Sequence, residues 1–344
     1  MIDFIHFEKT MIIAELSCNH LHNYDLAVKT IEAMAEAGAD VVKVQNDNMA
    51  DDRLTIDSDN KYFQINQGTL WDGETLYSLY RKTETPLEWI PKLQKVAHSL
   101  GMEYFSTPSD ATSVDFLKQF DVPAYKISSF EITDLQLIRR AAETGRPILI
   151  STGIATEEDI ELAIKTCRDA GNPNVILLKC TSSYPAPIEA ANLAMIPDMK
   201  RRFGCEVGLS DHSMGDVVAT TAVALGAKVV EKHFILDRSL GGPDAAFSME
   251  PHEFKAMVQR IRDVEKTIGS VNYELSQSAK ENRNFAKSLF VIQNVKKGDV
   301  ISDANVRAIR PGYGILPKHW DDIVGKTFTS DVERGTPFTF DLIK

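Results

Sequence analysis

The chain has 344 residues, of which 43% are hydrophobic and 25% charged, the composition of an ordinary soluble globular protein. Its formal net charge of -11 argues against a general nucleic-acid-binding surface. No apolar run approaches the roughly 18 residues that a membrane helix needs, and the amino end has no basic-then-apolar signal pattern. We therefore expect a cytoplasmic protein with neither nucleic acid nor membrane as a partner.

Short apolar runs alternate with helical patterns along the first part of the chain. The runs predict buried parallel strands at 11–16, 41–44, 103–106, 124–127, 148–151, 175–179, 206–209 and 227–232. Helical spacing follows each of them, at 26–37, 86–100, 111–120, 135–144, 157–170, 193–202, 217–225 and 251–268. Eight such pairs favour an α/β fold of the (β/α)8 or TIM-barrel type over a doubly wound sheet.

Two stretches depart from this alternation. Residues 46–86 are polar and dotted with aromatic side chains, and they are too long for a plain connector, which predicts a loop over a site. A polar run begins near residue 270, and short β elements follow residue 283. We therefore expect a barrel domain at 1–270, a linker at 271–284 and a small β-rich domain at 285–344. The four cysteines are scattered without C-x-x-C spacing, which indicates buried, reduced thiols.

The carboxyl ends of the predicted strands carry polar side chains throughout. Barrel active sites lie at these ends, so the residues there are the candidates for a site. They are Glu15, Ser17, Lys43, Gln45, Ser106, Thr107, Lys126, Ser129, Glu131, Ser151, Thr152, Thr181, Ser182, Ser183, Tyr184, Ser210, His212 and His233.

Two histidines, His212 and His233, fall just past the ends of neighbouring strands. A single histidine at such a place is more often a hydrogen-bonded structural residue. The pair, each member beside an acidic residue able to orient it (Asp211 and Glu231), predicts a metal-ligand set instead. Imidazole combined with oxygen ligands suits manganese, zinc or ferrous iron.

Two lysines, Lys43 and Lys126, lie within apolar strands. An unpaired ammonium group is costly to bury, so each must have an anionic partner. That partner is either a ligand or a barrel glutamate such as Glu15 or Glu131. Serines and threonines at strand ends are singly just helix caps, but their clustering with two lysines predicts a phosphate site.

Ten motifs, in order and spacing, resemble the sialic acid synthase family over nearly the whole chain. They are AELSCNH (14–20), VKVQ (42–45), FSTP (105–108), YKISSFE (125–131), STG (151–153), CTSSYPAP (180–187), GLSDHS (208–213), EKHF (231–234), KKGD (296–299) and RPGYG (310–314). The resemblance implies a TIM barrel followed by an SAF (antifreeze-like) domain. It also implies condensation of phosphoenolpyruvate with an N-acylated amino sugar in its open aldehyde form. The implied cofactor is a divalent metal, Mn²⁺ with Mg²⁺ or Co²⁺ as alternatives.

Finer features are more similar to one branch of that family. The segment 68–89, ISSFE (127–131) and LKCTSSYP (178–185) resemble the pseudaminic acid branch, whose acceptor is 2,4-diacetamido-2,4,6-trideoxy-L-altrose. The alternative is the N-acetylneuraminate or legionaminate branch, with an N-acetylmannosamine-type acceptor. The chain departs from many relatives at 21–23, where they have a glycine-containing turn, and at Ser182, where neuraminate-type enzymes can have asparagine. These departures affect substrate contacts rather than the chemistry.

The resemblance implies a role for each matching residue. The metal would be bound by His212 and His233. The carboxylate of phosphoenolpyruvate would be held by Lys43, Thr107 and Lys126, and its phosphate by Ser129, Ser151, Ser182 and Ser210. The catalytic set would be Glu15, Glu131 and Lys126. The sugar would be contacted by Gln45, Tyr184, Asp244 and Arg310, the last supplied by the SAF domain of the partner subunit in a domain-swapped homodimer.

The implied chemistry agrees with these residue types. Carbon 3 of phosphoenolpyruvate is a weak nucleophile, so a metal that polarises the aldehyde makes attack feasible. Carbon 2 then becomes cationic and takes up water, for which Glu131 is a suitable base. Two other functions remain open, a Schiff-base aldolase that uses Lys126 and a non-catalytic glycan-binding protein. The glycan-binding alternative is disfavoured because the six charged and imidazole residues of the barrel site are all present in the matching places. They are Glu15, Lys43, Lys126, Glu131, His212 and His233.

Overall fold

The computed structural model describes residues 3–46, 54–66 and 68–344. The chain forms two compact units, Met1–Gly269 and Ser270–Lys344. Within the described ranges, no helix has both the length and the apolar character needed to cross a membrane.

The first unit is a closed barrel of eight parallel strands, which confirms the predicted TIM barrel. The strands are β1 Met11–Glu15, β2 Val41–Asn46, β3 Glu103–Pro108, β4 Tyr125–Ile127, β5 Ile148–Ser151, β6 Val175–Cys180, β7 Glu206–Asp211 and β8 Val229–His233. They are hydrogen-bonded in chain order, and β1 closes the barrel by pairing with β8. Their carboxyl ends therefore meet at one rim.

Helices surround this barrel. They are α1 Tyr24–Glu36, α2 Leu76–Thr83, α3 Ile90–Ser99, α4 Ala111–Leu117, α5 Leu135–Ala142, α6 Glu157–Asp169, α7 Met195–Phe203, α8 Val217–Ala224 and α9 Pro251–Ile268. Local sequence sets several of their ends. Asn23 accepts a hydrogen bond from the backbone N–H of Leu26, so α1 begins two residues before its apolar pattern does.

The helices are amphipathic, and the strands are buried on both faces. In α5, Leu137 and Ile138 pack against the barrel, whereas the neighbouring Arg139 and Arg140 lie in the basic last turn. Replacing a fully buried leucine such as Leu137 by alanine typically costs about 2–5 kcal/mol of stability. Because helices cover the outside and opposing strands fill the inside, polar side chains gather at the strand ends.

The predicted loop at 46–86 is only partly a loop. Residues 47–53 and 67 lie outside the described part, but the remainder contains a 3-10 turn at Lys61–Phe63 and the helix α2. Thr75 and Ser78 form a capping box that begins this helix, and Leu79 is its buried apolar side chain. A two-turn helix has too few residues to show a clear period, which is why the sequence did not indicate it.

The second unit has its own small core around an antiparallel pair of strands. The elements are α10 Gln277–Asn282, β9 Ser288–Val291, β10 Val306–Ile309 and α11 Trp320–Ile323. The core side chains are Leu289, Val291, Val295, Ile301, Val306, Ile323, Phe328, Val332 and Phe338. The predicted linker at 271–284 is therefore not featureless, because α10 occupies much of it. A side chain at Gly314 would lie 2.1 Å from the carbonyl oxygen of Leu289, so this turn requires glycine.

Candidate active site

A cavity of about 520 Å³ opens at the carboxyl ends of the barrel strands. It is lined by twelve of the fifteen residues to which the family resemblance assigns a role: Lys43, Gln45, Thr107, Lys126, Ser129, Glu131, Ser151, Tyr184, Ser210, His212, His233 and Asp244. The other three are placed differently. Glu15 is fully buried outside the lining, Ser182 is half-buried beside Cys180, and Arg310 is an exposed residue of the second unit.

A network of lysines and glutamates occupies the barrel interior at this cavity. Lys43 forms an ion pair with Glu15, and its Nζ donates to Thr107 Oγ1 at 3.1 Å. Nζ of Lys126 lies 3.1 Å from Oε1 of Glu231, and Nζ of Lys43 lies 3.6 Å from the same oxygen. Every side chain in this network is at least nine-tenths buried. Each lysine therefore has a carboxylate partner within the barrel.

Burial and charge shift the pKa values of this network in opposite directions. Burial raises the pKa of Glu231, but the charges of Lys126 and Lys43 overcome this and lower it to about 2. For Lys43, burial lowers the pKa, but Glu15 and Glu231 outweigh burial and raise it. For Lys126, burial dominates and the pKa is lowered, despite the attraction of Glu231. Lys43 is thus the more firmly protonated of the two lysines.

The contacts of Glu231 differ from those that the sequence predicted. The sequence suggested that it orients a histidine and that Glu131 is a possible lysine partner. Instead, Glu231 binds Lys126 and accepts a hydrogen bond from Ser210 Oγ at 3.1 Å, while Glu131 accepts one from Ser128. Strand side chains repeat every two residues, so Glu231 shares the inner face with His233 but lies one layer deeper. The two-residue spacing between Glu231 and His233 could therefore have predicted from the sequence that both face the barrel interior.

Asp211 is likewise misplaced by the sequence. It was expected to orient His212, but its Oδ2 lies 2.6 Å from Nζ of Lys232 and its Oδ1 accepts from Ser213. The reason is again alternation along a strand, because adjacent residues point to opposite faces. Asp211 therefore faces away from the cavity that His212 lines.

Hydroxyl groups gather beside the lysines. Oγ of Ser151 is buried and has no hydrogen-bond partner among the described residues, so it is free to bind a ligand. Oγ of Ser129 accepts from the backbone N–H of Gly153 at 3.1 Å. A Cβ atom on Gly153 would lie 2.1 Å from Oγ of Ser182 and 2.7 Å from Oγ of Ser129. A side chain at this position would have to displace both hydroxyls.

Cys180 lies among these serine hydroxyls. The sequence analysis did not predict it as a site residue. Its Sγ is 3.9 Å from Nδ1 of His212 and 3.5 Å from Oγ of Ser129. Burial raises the pKa of the Cys180 thiol, but the hydrogen bond and charge of His212, with smaller contributions from Ser129 and Lys126, bring it down to about 7. All four cysteines are buried and free, as the sequence indicated.

The two histidines meet at the cavity wall with their ring centroids 5.3 Å apart. Nδ1 of His212 lies 3.1 Å from the carbonyl oxygen of Thr181. A carbonyl only accepts, so Nδ1 carries a proton, and when the ring is neutral Nε2 presents its lone pair. Nδ1 of His233 lies 3.4 Å from Oδ2 of Asp244 and makes no hydrogen bond within the described residues.

These donors fit a divalent metal whose remaining ligands are oxygens. In the described ranges, no group of three or more His, Cys, Asp or Glu side chains is arranged to hold a metal. Two imidazoles with Asp244 beside one of them are a partial set, which water and substrate oxygens would complete.

One part of the cavity is largely apolar and comes from the segment after β2. It is lined by Leu54, Tyr62, Ile65, Trp71, Leu76, Leu79 and Tyr80. Nε1 of Trp71 donates to the carbonyl oxygen of Pro243 at 3.2 Å, and its ring lies 5.7 Å from that of Tyr184. The ring of Phe247, which also lines the cavity, lies 5.3 Å from that of Tyr184. Tyr77 does not line the cavity, unlike Trp71 and Tyr80.

A family model described as the NeuB family matches residues 30–273, and a model of the SAF domain matches residues 286–344. The chain belongs to the NeuB family. Within this family it is 44% identical to a pseudaminic acid synthase of Campylobacter jejuni, over 95% of each chain. It is 36% identical to an N,N'-diacetyllegionaminic acid synthase of the same species, over 95% of this chain and 98% of that one.

The fold also matches that of a solved structure. A spore coat polysaccharide biosynthesis protein of Bacillus subtilis superposes with a TM-score of 0.64 and 32% identity, covering 99% of this chain and 97% of its own. The similarity thus spans both the barrel and the SAF domain of this NeuB-family chain.

Proposed function

We propose that this protein is a pseudaminic acid synthase. It condenses phosphoenolpyruvate with 2,4-diacetamido-2,4,6-trideoxy-L-altrose and water, forming a nine-carbon nonulosonic acid and phosphate. The observation that carries this proposal is one cavity lined by two buried lysines, several hydroxyls of which Ser151 Oγ is unpartnered among the described residues, an imidazole pair and a set of apolar side chains. The greater identity to a pseudaminic acid synthase than to a legionaminic acid synthase, 44% against 36%, supports the choice of sugar.

Phosphoenolpyruvate binds at the lysine side of the cavity. Lys43, Thr107 and Lys126 hold its carboxylate, since an anion there replaces the glutamate contacts that the lysines make in the free protein. Its phosphate is held by hydroxyl donors, namely Ser129, Ser151, Ser182 and Ser210. The unpartnered Oγ of Ser151 supports this assignment most directly.

His212 and His233 hold the divalent metal, for which Mn²⁺ is the expected ion and Mg²⁺ or Co²⁺ the alternatives. A metal bound there supplies a Lewis acid for the aldehyde oxygen of the open-chain sugar. The Thr181 carbonyl keeps His212 in the tautomer that presents Nε2 to this position. Asp244 lies beside His233 and would orient that ring.

The two carboxylates assigned to catalysis have separate tasks. Glu131 lines the cavity, so it is the base that takes a proton from the water adding to carbon 2. Glu15 lies outside the lining and contacts Lys43, and we assign it to holding that lysine in place. When the tetrahedral adduct collapses, the bond between carbon 2 and the bridging oxygen of the phosphate breaks, and phosphate leaves.

The acceptor sugar lies between the imidazoles and the apolar wall. Gln45, Tyr184 and Asp244 supply polar contacts, and the wall around Trp71 supplies surface for the methyl at carbon 6. Arg310 completes the site from the SAF domain of a second subunit in a domain-swapped homodimer. An exposed guanidinium with no ion-pair partner among the described residues is available for that task.

The decisive experiment is mass spectrometry of the products formed from phosphoenolpyruvate and each of two acceptors. Turnover of the diacetamido trideoxy sugar with little turnover of N-acetylmannosamine is expected. Preferential turnover of N-acetylmannosamine would assign the protein to the neuraminate branch. Full activity in EDTA, together with borohydride trapping of pyruvate on Lys126, would instead favour the Schiff-base aldolase.

A further inference from the structure

Asp211 and Lys232 form a buried ion pair behind the two imidazoles. They are register partners on the neighbouring strands β7 and β8. Because side chains alternate along a strand, both point away from the cavity that His212 and His233 line. Their side chains are 2% and 0% exposed, so the pair is sealed from solvent.

The contacts of this pair involve the residues on both sides of His212. Nζ of Lys232 donates to Oδ2 of Asp211 at 2.6 Å and to the carbonyl oxygen of Ser213 at 2.7 Å. Oδ1 of Asp211 accepts from the backbone N–H of Ser213 at 2.9 Å and from its Oγ at 2.7 Å. The backbone on both sides of His212 is therefore fixed to the residue immediately before His233.

Stability alone does not account for an ion pair in this place. Removing two charges from water is costly, and a well-packed apolar pair of similar volume is often as stable or more so. Metal ligands, by contrast, must be held within about 0.5 Å of the productive geometry. The other anchors of His212, its Nδ1 contact with Thr181 and the hydrogen bond from Ala186 N–H to its carbonyl, tie it to the loop after β6. The ion pair adds a side-chain connection to the strand of His233, beyond the backbone pairing of β7 with β8.

We propose that Asp211 and Lys232 are positioning residues that set the separation and orientation of His212 and His233 for a divalent metal. This inference rests on the metal site of the proposed function. It explains why the motifs GLSDHS and EKHF each contain a charged residue that never reaches the cavity.

The test measures Mn²⁺ affinity of the full chain, without substrates, from the electron paramagnetic resonance signal of free aqueous Mn²⁺. The double variant Asp211→Asn/Lys232→Met removes one charge of each sign, so the net charge is unchanged and no isolated charge is left buried. We expect its Mn²⁺ dissociation constant to rise about tenfold or more, the range seen when partners of metal ligands are lost. The melting temperature of the metal-free protein should stay close to that of the wild type.

A matched control removes an ion pair at the opposite end of the barrel. Arg262 and Asp40 lie 2.9 Å apart there, away from the cavity. Asp40→Asn/Arg262→Met should leave Mn²⁺ affinity unchanged, whatever it does to the melting temperature. If Asp211→Asn/Lys232→Met does not fold, Ser213→Ala removes only one hydrogen bond to Asp211 and should weaken Mn²⁺ binding about threefold.

His212→Ala separates failure of this inference from failure of the metal site. Wild-type Mn²⁺ affinity in His212→Ala would place the metal elsewhere and overturn both. Weak binding in His212→Ala together with wild-type affinity in Asp211→Asn/Lys232→Met, or in Ser213→Ala where the double variant does not fold, would keep the metal site and overturn the positioning role.

Discussion

Nζ of Lys126 on β4 lies 3.1 Å from Oε1 of Glu231 on β8, a contact that crosses the barrel interior between strands that are not neighbours. An incoming carboxylate must compete with Glu231 for this ammonium group. We expect Lys126→Met to raise KM for phosphoenolpyruvate and lower kcat together, since the same charge acts on bound substrate and during attack. A loss of about tenfold to a hundredfold in kcat/KM corresponds to one charged hydrogen bond.

Steady-state kinetics at saturating acceptor measures this loss. Lys179→Met is the matched control, because Lys179 is another buried strand lysine but donates to the carbonyl of Cys180 and does not line the cavity. Unaltered phosphoenolpyruvate kinetics in Lys126→Met would mean that Lys126 serves only to neutralise Glu231.

The low pKa of Glu231 predicts how stability depends on acid. Its folded-state pKa of about 2 lies below the 4.5 of an ordinary glutamate. The unfolded chain therefore binds a proton that the folded chain does not, and this contribution is present above pH 4.5 and is lost as the pH falls toward 2. In Glu231→Gln the number of protons taken up on unfolding in this range should fall by about one.

Urea unfolding followed by circular dichroism, at several pH values in that range, gives the slope that counts these protons. Glu206→Gln, at the amino end of β7 and partly exposed, is the comparison variant. Equal slopes in wild type and Glu231→Gln would show that Glu231 is not held ionised by the lysines.

Metal dependence is the third expectation. Activity should disappear on chelation and return with Mn²⁺, and His212→Ala and His233→Ala should each resist rescue at ordinary metal concentrations, because each removes one of few protein ligands. His252→Ala, which removes an imidazole whose side chain is 77% exposed, should behave like the wild type. Activity that persists in chelator would contradict a metal role for the pair.

Trp71 should control acceptor choice. Its ring is fixed by the hydrogen bond to Pro243 and the contact with Tyr184, so it offers a rigid apolar surface. Trp71→Ala should reduce kcat/KM for the 6-deoxy acceptor about tenfold more than for N-acetylmannosamine, since a fitted methyl is worth about 1–3 kcal/mol. Tyr77→Ala, on the same segment but outside the cavity, should not change this ratio. An equal loss for both acceptors would remove Trp71 from methyl recognition.

Arg310 provides a test of the two-subunit site. Arg310→Ala should impair use of the sugar much more than binding of phosphoenolpyruvate. Mixing Arg310→Ala with Lys126→Met under conditions of subunit exchange should restore activity, because one site of the mixed dimer then carries both defects and the other carries neither. No recovery despite demonstrated exchange would place Arg310 in the site of its own subunit or in none.

The sequence predicted those features that depend on local pattern. Strands buried on both faces gave uninterrupted apolar runs, and α9 was predicted at the residues where it occurs because Pro251 marks its first turn. The side-chain pairings were harder to predict from the sequence. Lys126 and Glu231 are 105 residues apart and meet only because the closed barrel brings the inner faces of β4 and β8 together. Asp211 was misplaced because proximity in sequence to His212 was taken for proximity in space.

The division of the cavity has a consequence for how such enzymes diversify. Anion-binding groups are distributed over strand ends from all round the barrel, whereas the described apolar wall comes mainly from one stretch between β2 and α3. Replacing this one segment therefore changes the apolar surface offered to the sugar and leaves the anion-binding residues in place. A chimera that exchanges residues 54–86 for the matching segment of a legionaminic acid synthase would make this replacement directly.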